Sequence, residues 1–127
     1  MKGSLQRLET KPFPLEREWT VEGVPVLRLT GTLPQPVGKP SRVPRRVQRF
    51  YQHQARCYLR YCQRFLLPLA EEAHRAALAA SAPLPLYTAQ LRYEVTCNEG
   101  GVWSLYTESR EVLGGDVTVL RRGDTWD

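Results

Sequence analysis

The chain has 127 residues, of which 42% are apolar and 24% are charged, with a formal net charge of +5. This length predicts a single domain over residues 1–127, and the composition excludes disordered and collagen-like proteins. No apolar run approaches the roughly 20 residues that cross a bilayer, and the N-terminal segment lacks a signal-peptide pattern. We therefore expect a cytoplasmic protein with no membrane partner.

The positive charge is concentrated in one segment. Residues 42–64 contain seven arginines and no acidic residue, whereas residues 65–127 contain nine acidic and five basic residues. The excess of positive charge is therefore a local feature, which points to one surface rather than to the whole molecule.

The three cysteines, Cys57, Cys62 and Cys97, are expected to be free thiols. An odd number cannot be fully paired within one chain. On a helix, Cys57 and Cys62 would lie too far apart and point in directions too different for a disulfide. Free thiols agree with a reducing compartment.

A hairpin is predicted first in the chain, over residues 15–33. Leu15, Trp19 and Val21 alternate with polar residues, which is the period of a strand with one buried face. After a turn at Glu22 and Gly23, a second strand follows. The proline-rich residues 34–44 are then predicted to form a connector without helix or interior strand.

One long amphipathic helix is predicted from about residue 44 to residue 80. Its apolar residues recur at helical spacing and should face the core; they are Val47, Tyr51, Tyr58, Phe65, Leu69 and Ala76. Pro68 should kink this helix, because it removes one backbone hydrogen bond and crowds the preceding turn.

The opposite side of this helix is the candidate binding face. It consists of Arg49, His53, Arg56, Arg60 and Arg64, which share an arc of the helix surface. Such a row of cations is either a solvated face, a docking face for an acidic partner, or a phosphate-binding ridge.

Three further strands are predicted, over residues 87–97, 102–113 and 117–120, separated by turns at Gly100-Gly101 and Gly114-Gly115. The expected fold is α+β: an antiparallel sheet of four to five strands with one long, proline-kinked helix packed across it, in the order ββ-α-βββ. The expected core comprises Trp19, Val21, Leu27, Leu29, Phe50, Tyr58, Phe65, Leu69, Leu91, Tyr93, Val95, Trp103 and Leu105.

No catalytic, cofactor or metal site is predicted. His53 and Cys57 have the four-residue spacing of two metal ligands on a helix, but two ligands do not make a zinc site. The sequence has no nucleophile elbow and no glycine-rich phosphate loop. Both histidines, His53 and His74, are expected to be surface side chains.

Four segments together resemble the RsiV-like domain family of Gram-positive bacteria: WTVEGVPVLRL, RRVQRFYQHQARCYLRYCQRFLLPLA, LRYEVTCNEGGVWSLYTESREVLGG and RRGDTWD. That family includes the extracellular sensor of a lysozyme-binding anti-sigma factor and domains that accompany peptidoglycan deacetylases. The resemblance implies a long helix on an antiparallel sheet. Lysozyme binding follows by analogy only, since no residue here matches that contact surface.

The chain also departs from this family. Members often have Gly-Gly-Ala-His where this chain has Gly114, Gly115, Asp116 and Val117, and the transmembrane and sigma-binding segments are absent. Family members continue past the DTWD position, which implies that this domain is a truncated or a degenerate copy.

The predicted function is a non-enzymatic protein-binding or regulatory module, whose partner is an unknown protein or a second copy of the chain. The alternative is nucleic-acid binding through Arg49, Arg56, Arg60 and Arg64, which the modest net charge disfavours. A third interpretation is an accessory domain of a cell-wall enzyme, which would require a fused catalytic domain.

Overall fold

The computed structural model describes residues 10–36 and 42–126, with the side chains of the first helix described from residue 45 onward. Five strands and one interrupted helix form two layers, so the predicted α+β fold and the five-stranded sheet are confirmed. In chain order the elements are β1 (Thr10–Val21), β2 (Val24–Pro36), α1 (Arg42–Tyr61), a π-helical turn (Cys62–Leu66), α2 (Leu67–Ala79), β3 (Tyr87–Glu99), β4 (Val102–Leu113) and β5 (Asp116–Trp126).

The sheet is mixed, whereas the sequence analysis predicted a purely antiparallel one. The strands lie in the order β1-β2-β3-β4-β5, and β2 runs parallel to β3 from the Leu27–Tyr87 pair to the Gly31–Leu91 pair. The other three pairs are antiparallel. The helical layer lies between β2 and β3 in the chain, and such a crossover carries the chain back to the end of the sheet where β2 began. The next strand then runs in the same direction.

Tight turns join the antiparallel strands. Glu22 and Gly23 connect β1 to β2 with φ angles of 48° and 81°. Two successive positive φ values give the turn the twist that suits a two-residue hairpin.

The first hairpin is longer than predicted. β1 begins at Thr10 and includes Pro12 and Pro14. β2 extends through Pro34 to Pro36, although these last three residues were predicted to be part of the connector. Prolines are tolerated here because β1 is an edge strand and Pro12 is paired with Pro34 near the end of the ladder. Within the rest of the predicted connector, residues 37–41 lie outside the described residues. Residues 42–44 were also predicted to be connector, but they form the start of α1.

The π turn shifts the buried side of the helix by one residue. Phe65 and Leu69 were predicted to be core residues, yet they are 62% and 49% exposed. The buried positions are the next ones along, Leu66, Ala70 and Ala77, in place of Phe65, Leu69 and Ala76. A π turn accommodates one extra residue, so every later side chain is rotated relative to a continuous α-helix.

The turn also explains why His74 is buried rather than on the surface. It lies four residues after Ala70 and is only 3% exposed. The irregularity directly precedes Pro68, which cannot donate the hydrogen bond that an α-helix would require there. The proline kink itself stays a prediction.

The core has two connected halves between the helix and the sheet. One half is built around Leu27, Leu29 and Leu66, and the other half is built around Tyr51 and Trp103. Of the predicted core, Leu27, Leu29, Leu91, Trp103 and Leu105 are buried, whereas Trp19, Val21, Phe50, Tyr58, Tyr93 and Val95 are partly buried.

Candidate functional site

The five predicted binding residues all lie on the exposed surface of the helix. Arg49, His53, Arg56 and Arg60 recur at intervals of three or four residues along α1, and Arg64 follows in the π turn. We call these five residues the arginine face. The helix presents them to solvent because its apolar side chains, among them Val47 and Tyr51, are anchored against the sheet.

The arginines of this face have no acidic partner within residues 10–36 and 42–126. The ion pairs of the described chain lie on the sheet, where Arg28 contacts Glu18 at 2.8 Å and Arg92 contacts Glu108 at 2.8 Å. Arg121 and Arg122 contact Glu108 and Asp124. Residues 42–64 also contain no acid that could pair with these arginines from the same segment.

Beneath this face, two tyrosines of α1 hold a buried carboxylate of the sheet. Tyr58 and Tyr61 each donate a hydrogen bond of 2.9 Å to one oxygen of Glu111, which is 6% exposed and lies on β4. Burial, and then the hydrogen bond to Glu111, raises the pKa of Tyr61 to about 12. Burial and the charge of Glu111 raise the pKa of Tyr58 further. The cluster fixes the helix on the sheet.

Cys62 lies next to this cluster and is fully buried. Burial, with a smaller contribution from the charge of Glu111, raises the pKa of its thiol to about 12. This cysteine is therefore protonated and unreactive at neutral pH. All three cysteines are free, and Cys57 is exposed.

A second polar cluster joins the helix to the end of β5. The Tyr51 hydroxyl donates to Asp124 Oδ2 at 3.1 Å, and Trp126 Nε1 donates to the Tyr51 oxygen at 3.3 Å. Arg122 Nε lies 3.3 Å from Asp124 Oδ1, and its guanidinium lies over the Phe50 ring. A cavity of about 60 Å³ beside Tyr51 and Asp124 is too small for an organic ligand. The DTW residues of the DTWD segment thus have a structural role.

The sheet surface opposite the helix carries a shallow polar groove of about 440 Å³ beside Gln90, Arg92, Glu108 and Arg110. Hydrogen bonds from Arg92 and Arg121 hold the pKa of Glu108 below its usual range. Tyr106 donates to Glu94 at 2.9 Å and accepts from Arg92 at 3.2 Å. Most of these polar groups already satisfy one another, which leaves few free for a ligand.

His53 and Cys57, which have the spacing of two metal ligands, are brought together without a third ligand among the described residues. His53 Nε2 lies 3.4 Å from Cys57 Sγ, and both side chains are exposed. Among the residues that the structure describes, no group of three histidine, cysteine or acidic side chains could hold a metal ion.

Sequence reasoning missed the Glu111 and Tyr51 clusters. The sequence signal for Glu111 was its place in the alternation of β4. It lies on the same face of the strand as Trp103 and Leu105, which are buried. An acid at an inward strand position requires partners, and the tyrosines on the facing helix provide them. Nothing local in the sequence pairs Tyr51 with Asp124, since 73 residues separate them.

None of the described helices has the length and apolar character needed to span a bilayer.

Comparisons with known proteins place the fold but not the function. No protein-family model matches the chain, and no curated protein matches its sequence. A solved structure of a DUF3298 family member from Bacteroides fragilis has a TM-score of 0.66 and 11% identity, covering 91% of this chain and 54% of that one. A DUF3298 family protein from Pseudomonas aeruginosa has a TM-score of 0.51 and 16% identity, covering 98% of this chain and 54% of that one. The chain thus spans about half the length of these structures and shares the fold of DUF3298 family proteins.

Proposed function

We propose that this protein is a non-enzymatic binding module that docks an acidic segment of a partner protein on the arginine face. The observation that carries the proposal is the row of exposed arginines without an acidic partner in the described chain. Like charges at helical spacing repel one another, so an anionic partner would relieve a cost that the free protein bears.

The composition of this surface favours a protein partner that also supplies an apolar contact. Phe65 follows Arg64 in the chain, is 62% exposed and packs its ring 5.7 Å from that of Tyr61. Leu69, one helical turn later, is 49% exposed. Exposed ion pairs contribute at most about 1 kcal/mol each. An aromatic anchor beside the cations would supply affinity that charge alone does not.

Nucleic-acid binding is less well supported, for a structural reason. Binding to single strands uses aromatic rings as stacking platforms beside the cations. Here the nearby tyrosines, Tyr58 and Tyr61, are turned toward Glu111 under the helix, and their hydroxyls are hydrogen-bonded to it. Neither tyrosine is therefore free to stack bases, and Phe65 is left as the exposed ring next to Arg64.

We also propose that the chain is an RsiV-like domain. The shared fold with DUF3298 proteins supports this relationship. So does the location of the resembling segments, since YEVTCNEGGVWSL spans the β3–β4 hairpin and DTW ends β5. A cytoplasmic location is a separate proposal, and the free cysteines are its support.

The test is binding of defined probes to the purified chain, measured by fluorescence anisotropy. The probes are an acidic peptide with eight glutamates and one tryptophan, and a single-stranded oligonucleotide of twelve bases. We compare the double variant Arg56→Glu/Arg60→Glu with the control Arg75→Glu/Arg110→Glu, whose exposed arginines lie elsewhere. Both variants change the net charge equally.

We expect the first variant to weaken peptide binding at least tenfold and the control to change it less than threefold. An equal loss in both variants would show that net charge alone drives binding and would overturn the assignment of this face. Tighter binding of the oligonucleotide, lost steeply with salt, would replace the proposal with nucleic-acid binding. A defined turnover by the pure protein would overturn the non-enzymatic assignment.

A further inference from the structure

β5 forms an edge of the sheet that exposes apolar side chains on both of its faces. Residues 116–123 are all exposed, and Val117, Val119 and Leu120 are 53%, 48% and 64% exposed. Among the described strands, β5 pairs only with β4. Its outer row of backbone amides and carbonyls therefore has no strand partner within the described residues.

The two edges of the sheet differ in how they resist further pairing. The β1 edge contains Pro12 and Pro14, which have no amide hydrogen to donate, and its ladder with β2 is irregular at Trp19 and Thr20. β5 contains no proline, and its ladder with β4 runs from Trp126 to Asp116 without a register shift. A long, regular edge with exposed β-branched residues is a template for another strand.

We propose that β5 pairs antiparallel with β5 of a second copy of this chain, so that the two sheets join about a two-fold axis at Val119. Opposed residues in such a pair point to the same side of the joined sheet. The pairs are Val119 with Val119, Thr118 with Leu120, Val117 with Arg121, and Asp116 with Arg122.

Charge complementarity selects this register. Asp116 lies opposite Arg122 twice, once on each side of the axis. If the axis moves to Leu120, Asp116 lies opposite Asp124, and if it moves to Arg121, that arginine lies opposite its own copy. Like-charge repulsion disfavours both of these registers. A register centred on Gly123 would pair Arg122 with Asp124 but leave Val117 and Val119 uncovered. The Val119 register alone combines opposite charges with coverage of all three exposed apolar residues.

The arginines at this edge can take part without losing their present contacts. Arg121 is bound to Glu108 of β4, and Arg122 is bound to Asp124 on its own strand. Each guanidinium has five donors, so Arg122 can donate to a second carboxylate in addition to Asp124.

The test measures the oligomeric state of the full chain by sedimentation equilibrium over a range of concentrations. We expect a concentration-dependent dimer that Val119→Lys abolishes, because it opposes two lysines at the axis. The matched control is Val102→Lys, which adds the same charge at an exposed valine of β4. Circular dichroism of both variants verifies folding.

Cysteine cross-linking tests the register independently. In a Cys57→Ser background, Val119→Cys brings two thiols together, since opposed Cα atoms lie about 5 Å apart, within disulfide range. Val117→Cys keeps its two copies about 13 Å apart in the same dimer. We expect oxidative cross-linking at position 119 at least tenfold faster than at position 117.

A chain that stays monomeric to millimolar concentration would overturn the proposal. So would a dimer that Val119→Lys leaves intact, or equal cross-linking at both positions. A monomer whose β5 edge binds an added extended peptide would reassign this edge to a foreign strand. The oligomeric-state measurements are independent of the arginine face, since Val119→Lys and Val102→Lys replace none of its five residues.

Discussion

At Gly31 the parallel strands leave no room for a side chain. This glycine lies on β2 opposite Leu91 of β3 and has a φ of +147°, a conformation that L side chains rarely adopt. A Cβ atom there would lie 2.0 Å from the Leu91 carbonyl oxygen. Only glycine fits without separating β2 from β3, and these two strands join the two halves of the sheet.

We therefore expect Gly31→Ala to destabilise the protein by at least about 3 kcal/mol, because it combines backbone strain with a clash that the ladder cannot relieve. Urea denaturation followed by tryptophan fluorescence measures the change. Gly123→Ala, at a strand glycine with open space around it, is the matched control and should cost less than about 1 kcal/mol. Equal losses in the two variants would refute this interpretation of Gly31.

Glu111 is the second residue whose environment makes a sharp prediction. Replacing it with leucine orphans the hydroxyls of Tyr58 and Tyr61, and each orphaned donor costs about 1–3 kcal/mol. We expect Glu111→Leu alone to lower the free energy of unfolding by about 2–4 kcal/mol. The triple variant Tyr58→Phe/Tyr61→Phe/Glu111→Leu removes donors and acceptor together and should be more stable than the single variant. A triple variant less stable than Glu111→Leu would contradict the proposed pairing.

At the scale of single elements, local sequence patterns predicted where an element lies in the chain better than how the elements are arranged. β4 was predicted over residues 102–113 and is found at Val102–Leu113, because alternation along one strand is a local signal. The arginine face was also predictable, since helical spacing alone separates Arg56 and Arg60 from the buried stripe. The parallel pairing of β2 with β3 was not, because more than 50 residues separate paired positions.

The π turn shows why the helix was only half predictable. Up to Cys62 the buried positions keep the helical spacing that was predicted. Beyond it, each buried position lies one residue after the predicted one, as Leu66 does after Phe65. Periodicity assumes 3.6 residues per turn throughout, and an extra residue in one turn is invisible to it. Phe65 and Leu66 are both apolar, so their hydrophobicity did not show which of the two is buried.

Deleting the extra residue tests this interpretation of the helix. Removing the exposed Gln63 would convert the π turn to a regular turn while keeping Leu66 and Ala70 on the buried side. We combine the deletion with Pro68→Ala, which restores the amide that a regular helix needs. This variant should fold with a free energy of unfolding within about 2 kcal/mol of the parent, by urea denaturation.

The control deletes Arg56 instead, also with Pro68→Ala. Arg56 lies in regular α-helix, so its loss rotates all later side chains by about 100° relative to α1. Removing Leu66 and its neighbours from the core should cost more than about 3 kcal/mol or prevent folding. If both deletions were tolerated equally, the π turn would have no role in setting the buried side.

At the scale of the whole molecule, the positive charge and the buried hydroxyls lie on opposite sides of one helix. On the outer side the arginines have no acidic partner in the described part of the chain, and on the inner side tyrosines pair with Glu111 and Asp124. This separation supports the proposed binding function, since the tyrosines of the inner side engage Glu111 and Asp124 and the arginine face takes no part in these contacts. It also makes stability depend on pH in the alkaline range.

The direction of that dependence follows from the inner side of the helix. Burial, with smaller contributions from Glu111, raises the pKa of Tyr61 and of Cys62 to about 12, whereas unfolded tyrosine and cysteine have pKa values near 10 and 8.5. The folded chain therefore holds these protons at pH values where the unfolded chain has released them. Their contribution to stability is complete below about pH 8.5 and is lost progressively as the pH rises toward 12.

We expect the free energy of unfolding, measured in urea, to fall continuously between pH 9 and pH 11.5, while arginine stays charged. Tyr61→Phe removes one of the ionising groups and should make the decline above pH 10 shallower, although it lowers stability at pH 7 through the lost hydrogen bond to Glu111. Tyr106→Phe is the matched control, because that tyrosine lies on the opposite surface of the sheet. Identical slopes for the parent and Tyr61→Phe would show that the inner tyrosines do not govern alkaline unfolding.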